Sequence, residues 1–100
     1  MEASMHARVT VLKGSPTDVD AGIANFRENV APFAKEAGKG ATLLVDRDTG
    51  KAVAITLWHD AAALTASEER ANALRADATQ QTGATGAPTV ERFEVTVFEV

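Results

Sequence analysis

Hydrophobic periodicity in this chain switches from a period of two to one near 3.6 and back, twice, and that order leaves few folds open. From His6 to Lys13, Val9 and Val11 point one way and Arg8, Thr10 and Leu12 the other, as in a strand. Gly14-Ser15-Pro16-Thr17-Asp18 breaks the strand, with Ser15 or Thr17 as N-cap and acidic residues in the first turn, where the helix dipole favours them. Val19, Ile23, Phe26 and Val30 then recur at helical spacing, with Asp20, Arg27 and Glu28 on other faces. Pro32 cannot donate to the carbonyl of Glu28, which predicts a kink or a break into a short second piece carrying Phe33 before Gly38 and Gly40 end the helix.

Thr42 to Val45 and Ala52 to Trp58 are β-prone runs joined by Asp46-Arg47-Asp48-Thr49-Gly50, the composition of a hairpin turn. Asp60 is a good N-cap for an alanine-rich helix running to about Gln81, with Leu64, Ser67, Ala71, Leu74 and Ala78 as its inward stripe. A loop over Gly83-Ala84-Thr85-Gly86-Ala87-Pro88 follows, and Thr89 to Val100 alternates again as a last strand.

Two strand-helix-strand units predict an α+β, ferredoxin-like β-α-β-β-α-β domain, a four-stranded antiparallel sheet with both helices on one face. With 100 residues there is room for one such domain, at 6–100, with Met1 to Met5 as a disordered terminus or an extension. A domain this small buries only about 60 to 70% of its unfolded surface, so pairing with a second copy is expected. Val9, Val11, Val53, Ile55, Leu57, Phe93, Val95 and Val97 make an almost wholly apolar face, expected beneath the helices. Arg8, Thr10, Leu12, Thr42, Leu44, Ala54, Thr56, Trp58, Arg92, Glu94, Thr96 and Phe98 make a mixed face, expected at the homodimer interface.

A net charge of -4 gives no attraction to phosphate backbones, so nucleic acid is not expected as a partner. The apolar runs fall short of the roughly 18 residues of a membrane helix, which excludes a helical membrane span and, with no leader pattern, points to the cytoplasm. The chain has no cysteine, hence no disulfide, thiol nucleophile or cysteine metal site, which also fits a reducing compartment. His6 and His59 have no carboxylates at metal-ligand spacing, so no metal is expected. The acidic turn at Asp46 lacks a calcium loop's closing glutamate, whose place falls on Leu57.

Gly50-Lys51-Ala52-Val53-Ala54-Ile55-Thr56-Leu57-Trp58-His59-Asp60-Ala61-Ala62-Ala63-Leu64 resembles the strand-to-helix junction of antibiotic-biosynthesis-monooxygenase domains of the dimeric α+β barrel superfamily. In those domains a tryptophan ends the third strand, a polar pair follows and an alanine-rich turn opens the second helix. Leu12-Lys13-Gly14 and Val90 to Val100 extend the likeness over essentially the whole chain. The haem-degrading members carry an asparagine where this chain has Ala7 and a histidine where it has Glu68 and Glu69, so the resemblance implies no haem and no other cofactor.

What the resemblance implies is a cofactor-independent monooxygenase-like protein acting on a phenolic or quinol-type molecule. The alternative is a non-catalytic dimeric ligand-binding or scaffold module of the same fold. The implied cavity lies between helices and sheet, with Trp58, Phe26, Phe33 and Leu64 at its border and His59 taking a phenolic proton. Because strand phase puts Trp58 on the expected dimer face, its part in that cavity requires a twist or bulge.

Overall fold

The computed structural model describes residues 4–81 and 88–99. Four strands, β1 (His6–Lys13), β2 (Gly40–Val45), β3 (Lys51–Trp58) and β4 (Thr89–Glu94), form one antiparallel sheet in the order β2-β3-β1-β4. Between β1 and β2 run a 3-10 turn (Pro16–Asp18), helix α1 (Val19–Asn25), a π turn (Phe26–Val30) and helix α2 (Ala31–Ala37). Between β3 and β4 come α3 (Ala61–Ala66) and α4 (Glu68–Gln81). The expected ferredoxin-like α+β order is therefore present. Among the described residues no helix is long and apolar enough to cross a membrane.

Local chemistry accounts for the joints. Ser15 Oγ accepts from Thr17 N at the start of the helical region, and Asp60 Oδ1 accepts from Ala63 N at 2.7 Å, the expected N-cap. In the β2–β3 turn Asp46 Oδ1 accepts from the backbone of Asp48 and Thr49. Gly50 follows with φ +81°, and a Cβ there would lie 2.3 Å from the Gly14 carbonyl, so this position accepts only glycine. At the other end of the sheet a Cβ on Gly38 would meet the Leu57 carbonyl and the Trp58 ring, and its absence lets α2 close onto the end of β3.

The break expected at Pro32 takes the form of the π turn. Ala31 N donates to Phe26 O, a five-residue step, and the α-helix resumes with Pro32 in its first turn and Phe33 behind it. The second helix, expected as one piece, is two, parted at Ser67. Ser67 Oγ donates to Leu64 O at 2.7 Å, drawing off a carbonyl that would otherwise serve the helix ladder. The inward stripe is as expected where it is described, Leu64, Ser67, Ala71 and Leu74 all being buried. The side chain of Ala78 and the loop before Pro88 lie outside the described residues. The last strand pairs only to Glu94, with one further bond from Val95 N to Met5 O just beyond the paired residues.

The two sheet faces are opposite to expectation. Register pairs Arg8 with Thr56, Thr10 with Ala54 and Leu12 with Ala52, and this face lies beneath the helices, with Arg8, Thr10, Leu12, Thr56 and Trp58 all buried. Val9, Val11, Val53, Ile55 and Leu57 lie on the helix-free face. In β2 the phase is one residue off the expected one. Leu43 stands beside Ala54 on the covered face, whereas Leu44 stands beside Val53 on the helix-free face and is 53% exposed. A dimer through the mixed face is thus ruled out, because the helices already cover it. The expectation failed because it sent the bulkier apolar set inward, while here the covered face is built from small and polar side chains that leave space.

Candidate functional site: a carbon-lined cavity between helices and sheet

That space is a cavity of about 90 Å³, against the roughly 10–15 Å³ that admits a single water. Thr10, Leu12, Ala52, Ala54 and Thr56 line it from the sheet, and Val19, Ile23, Phe26, Val30 and Phe33 from α1, the π turn and α2. Ala71, Leu74 and Arg75 of α4 complete it. Alanines at 52 and 54 on a central strand are what holds the floor open. The π turn carries Phe26 and Val30 as lining residues on either side of its widened step.

The ends differ in charge. Arg8 lines one end, while Leu12, Gly14 and Asp18 line the region near the other. Residues 8 and 12 of one strand stand about 13 Å apart. Asp18 heads α1 without a capping hydrogen bond from its side chain, which leaves the carboxylate uncommitted to the helix start.

Arg8 has a side chain only 3% exposed. Its Nη2 donates to Leu64 O (3.0 Å), Ser67 Oγ (2.9 Å) and Glu68 Oε1 (2.8 Å), three acceptors on one nitrogen at the joint between α3 and α4. Its Nε is buried with no hydrogen-bond partner. The guanidinium stands 5.7 Å from the Trp58 ring centroid, within cation–π range. The Arg8 hydrogen bond is the first cause that holds Glu68 below the ordinary carboxylate value, against opposing desolvation. Burial, then the neighbouring Arg8 charge, pushes Arg75 below the ordinary arginine value.

Of the expected site residues, Phe26 and Phe33 line the cavity. Trp58 is buried one layer behind, its ring 5.5 Å from that of Phe33 and its Nε1 donating to Thr56 Oγ1 at 3.0 Å. Strand phase alone puts it there, so no bulge is required. Leu64 is fully buried in the core and reaches the site through its carbonyl on Arg8, and His59 is exposed beyond the strand end. Neither is among the lining residues. Arg8, Asp18, Asn25 and Arg75 were not anticipated. Arg8 carried a signal, as a charge alternating with Thr10 and Leu12 on the strand that centres a ferredoxin-like sheet. Asn25 carried none, its place on the cavity wall depending on how α1 meets the π turn. Among the described residues no group of His, Cys, Asp and Glu is placed to hold a metal.

No family model matches the sequence. An uncharacterised protein of Mycobacterium tuberculosis is 33% identical over 93 residues, covering 91% of this chain and 41% of that protein. A second from the same organism is 38% identical over 73 residues, covering 71% and 31%. The chain therefore spans less than half the length of these curated relatives. Among solved structures, the monooxygenase from the gene ActVA-Orf6 of Streptomyces coelicolor, in complex with nanaomycin D, superposes with a TM-score of 0.73 at 17% identity, covering 98% of this chain and 92% of that one. SnoaB, a cofactor-independent oxygenase from Streptomyces nogalater, gives 0.62 at 22% identity over 96% and 97%. A dimeric ferredoxin-like protein from an uncultured marine organism gives 0.68 at 15% identity over 98% and 100%. The chain thus has the fold of the antibiotic-biosynthesis-monooxygenase-type domain, as the resemblance at Trp58 implied.

Proposed function

We propose that this protein binds a planar phenolic or quinol-type molecule in the cavity between helices and sheet and oxygenates it without a cofactor. The observation that carries the reading is the cavity itself: a mostly carbon-lined space in a fold shared with such oxygenases, bounded by Phe26 and Phe33, with Arg8, Asp18 and Arg75 as its charged lining residues. The protein's share of the chemistry is to hold the ring away from water, accept the phenolic proton and leave an electron-rich anion for dioxygen. The reaction balances without an external reductant. One oxygen atom enters a ring carbon as a quinone carbonyl, and the other leaves as water with the hydroxyl hydrogen and the displaced ring hydrogen. Asp18, in the lining and free of a capping bond, is better placed to accept that proton than exposed His59. The active form is a homodimer joined through the helix-free sheet face, supported by the apolar side chains uncovered there.

Oxygen uptake measured across a panel of naphthols and naphthohydroquinones tests the reading. Asp18→Asn should lower the rate about 10²-fold, the scale of losing a general base, and His59→Ala should leave it within about threefold. The reverse pattern would return the proton to His59. Saturable quenching of Trp58 fluorescence without oxygen uptake would favour a binding module, and no saturable quenching would discard the cavity as a ligand site.

A further inference from the structure

Resting on the reading of the cavity as a ligand site, we infer that its ligand enters and leaves through a groove between β2 and the segment formed by α1 and the π turn. A groove of about 390 Å³ has Ile23, Phe26, Leu43 and Val45 in its lining, and the same four residues line the cavity. They are the wall that the two spaces share. Arg27, Ala31, Ala41 and Thr42 line the groove and not the cavity.

Helix packing accounts for the gap. Beyond its neighbours in the chain, α1 packs chiefly against α4, whereas β2 takes its helical cover from α2. The π turn stands between the two helices, so the helical layer divides there and the space between α1 and β2 is left unfilled. Exposure shows the same asymmetry. Around the rest of the cavity Ala71 and Leu74 of α4 are buried, as are Thr10, Leu12 and Thr56 of the sheet. Ile23, Phe26 and Leu43 are large apolar side chains that are only half-buried, and Val45 is 36% exposed. Apolar side chains left partly wet at the rim of a carbon-lined space suit the passage of a planar aromatic molecule, which exchanges water for carbon stepwise on its way in.

The chain has no cysteine, so a single introduced thiol can carry a removable plug as a mixed disulfide with glutathione. Arg27→Cys places it at an exposed position in the groove lining. Stopped-flow quenching of Trp58 by 2-naphthol, measured on the full chain with and without the cap, tests the passage. An obstruction raises the barrier to entry and exit alike, so kon and koff should both fall at least about 10-fold with Kd within about threefold. Dithiothreitol should restore both rates in the same sample, which separates obstruction from misfolding. The same cap on Thr17→Cys, exposed beside Asp18, should leave both rates within about threefold. Unchanged rates with the Arg27→Cys cap, or slowing by the Thr17→Cys cap instead, would overturn the groove as the passage. So would a weakened Kd with unchanged kon, which would make the groove part of the binding site. Each of these leaves the cavity reading standing, whereas no saturable quenching in the uncapped protein would overturn both.

Discussion

Val53 and Ile55 leave one face of β3, Ala52, Ala54 and Thr56 the other, and the bulky set is the one without helices over it. In a domain of one sheet and one helix layer the larger apolar residues ordinarily go under the helices, where burial of each is worth about 1.5–3 kcal/mol. Here the covered face gives up that packing and keeps a cavity, while the uncovered face holds Val9, Val11, Val53, Ile55 and Leu57 half-buried with Leu44 and Phe93 about half exposed. The difference teaches that the two faces are built differently, and under the proposed function they answer to different partners, a small molecule inside and a second copy outside, with apolar bulk marking the second.

The harshest way to break this comparison is Ile55→Asp. A charge placed at the centre of the proposed interface costs about 3–5 kcal/mol when desolvated, so dimer affinity should fall about 10²- to 10³-fold or more. Size-exclusion chromatography with light scattering should show a native dimer and a mutant monomer at micromolar concentration. A native monomer, or an unaffected mutant dimer, would remove the interface.

The elements themselves were legible because each depended on local chemistry: alternation in β1, the Asp46 turn, the Asp60 cap, the missing N–H of Pro32. The site was legible only in part. Phe26 follows from the helical stripe, Phe33 from the piece expected beyond Pro32, and the cavity between helices and sheet from the family resemblance. The assignment of faces was not, because it rests on comparing whole sheets, and the bulk rule pointed the wrong way. Arg8 was hidden by the same error, since a charged residue on a face taken as outward needs no partner. The break at Ser67 depends on a hydroxyl rotamer and on the Arg8 contact, neither of which periodicity can report.

A gentler test sharpens the inner side of the comparison. Ala54→Leu projects into the cavity between Thr10 and Leu43. Filling spare volume commonly adds about 0.5–2 kcal/mol, so thermal stability should hold or rise while affinity for a naphthol falls at least about 10-fold. Unchanged affinity would separate ligand binding from the cavity, and a marked loss of stability would show that the volume is not spare.

The smallest effect is expected at Glu68. Its carboxyl is held below the unfolded value of 4.5, chiefly by the Arg8 hydrogen bond. The pair therefore stabilises the fold above that pH and ceases to as pH falls through the lowered folded value. With Glu68 34% exposed and solvent screening the pair, Glu68→Gln should cost under about 1 kcal/mol at pH 7. That difference should shrink toward acid in denaturant titrations, and a constant difference across pH would mean that the ion pair does not contribute.

The π turn at Phe26–Val30 bears on how this chain can be matched to others. A side chain advances about 100° per residue in an α-helix, and the five-residue step here takes up one residue without that advance reaching Phe33 and Ala34. Against a protein whose helix runs unbroken, the two chains correspond before the turn and again after it, but only through a one-residue gap placed mid-helix. A comparison that forbids gaps inside helices would slip by one position from there on and set the wrong residues against Phe33, on the wall of the cavity.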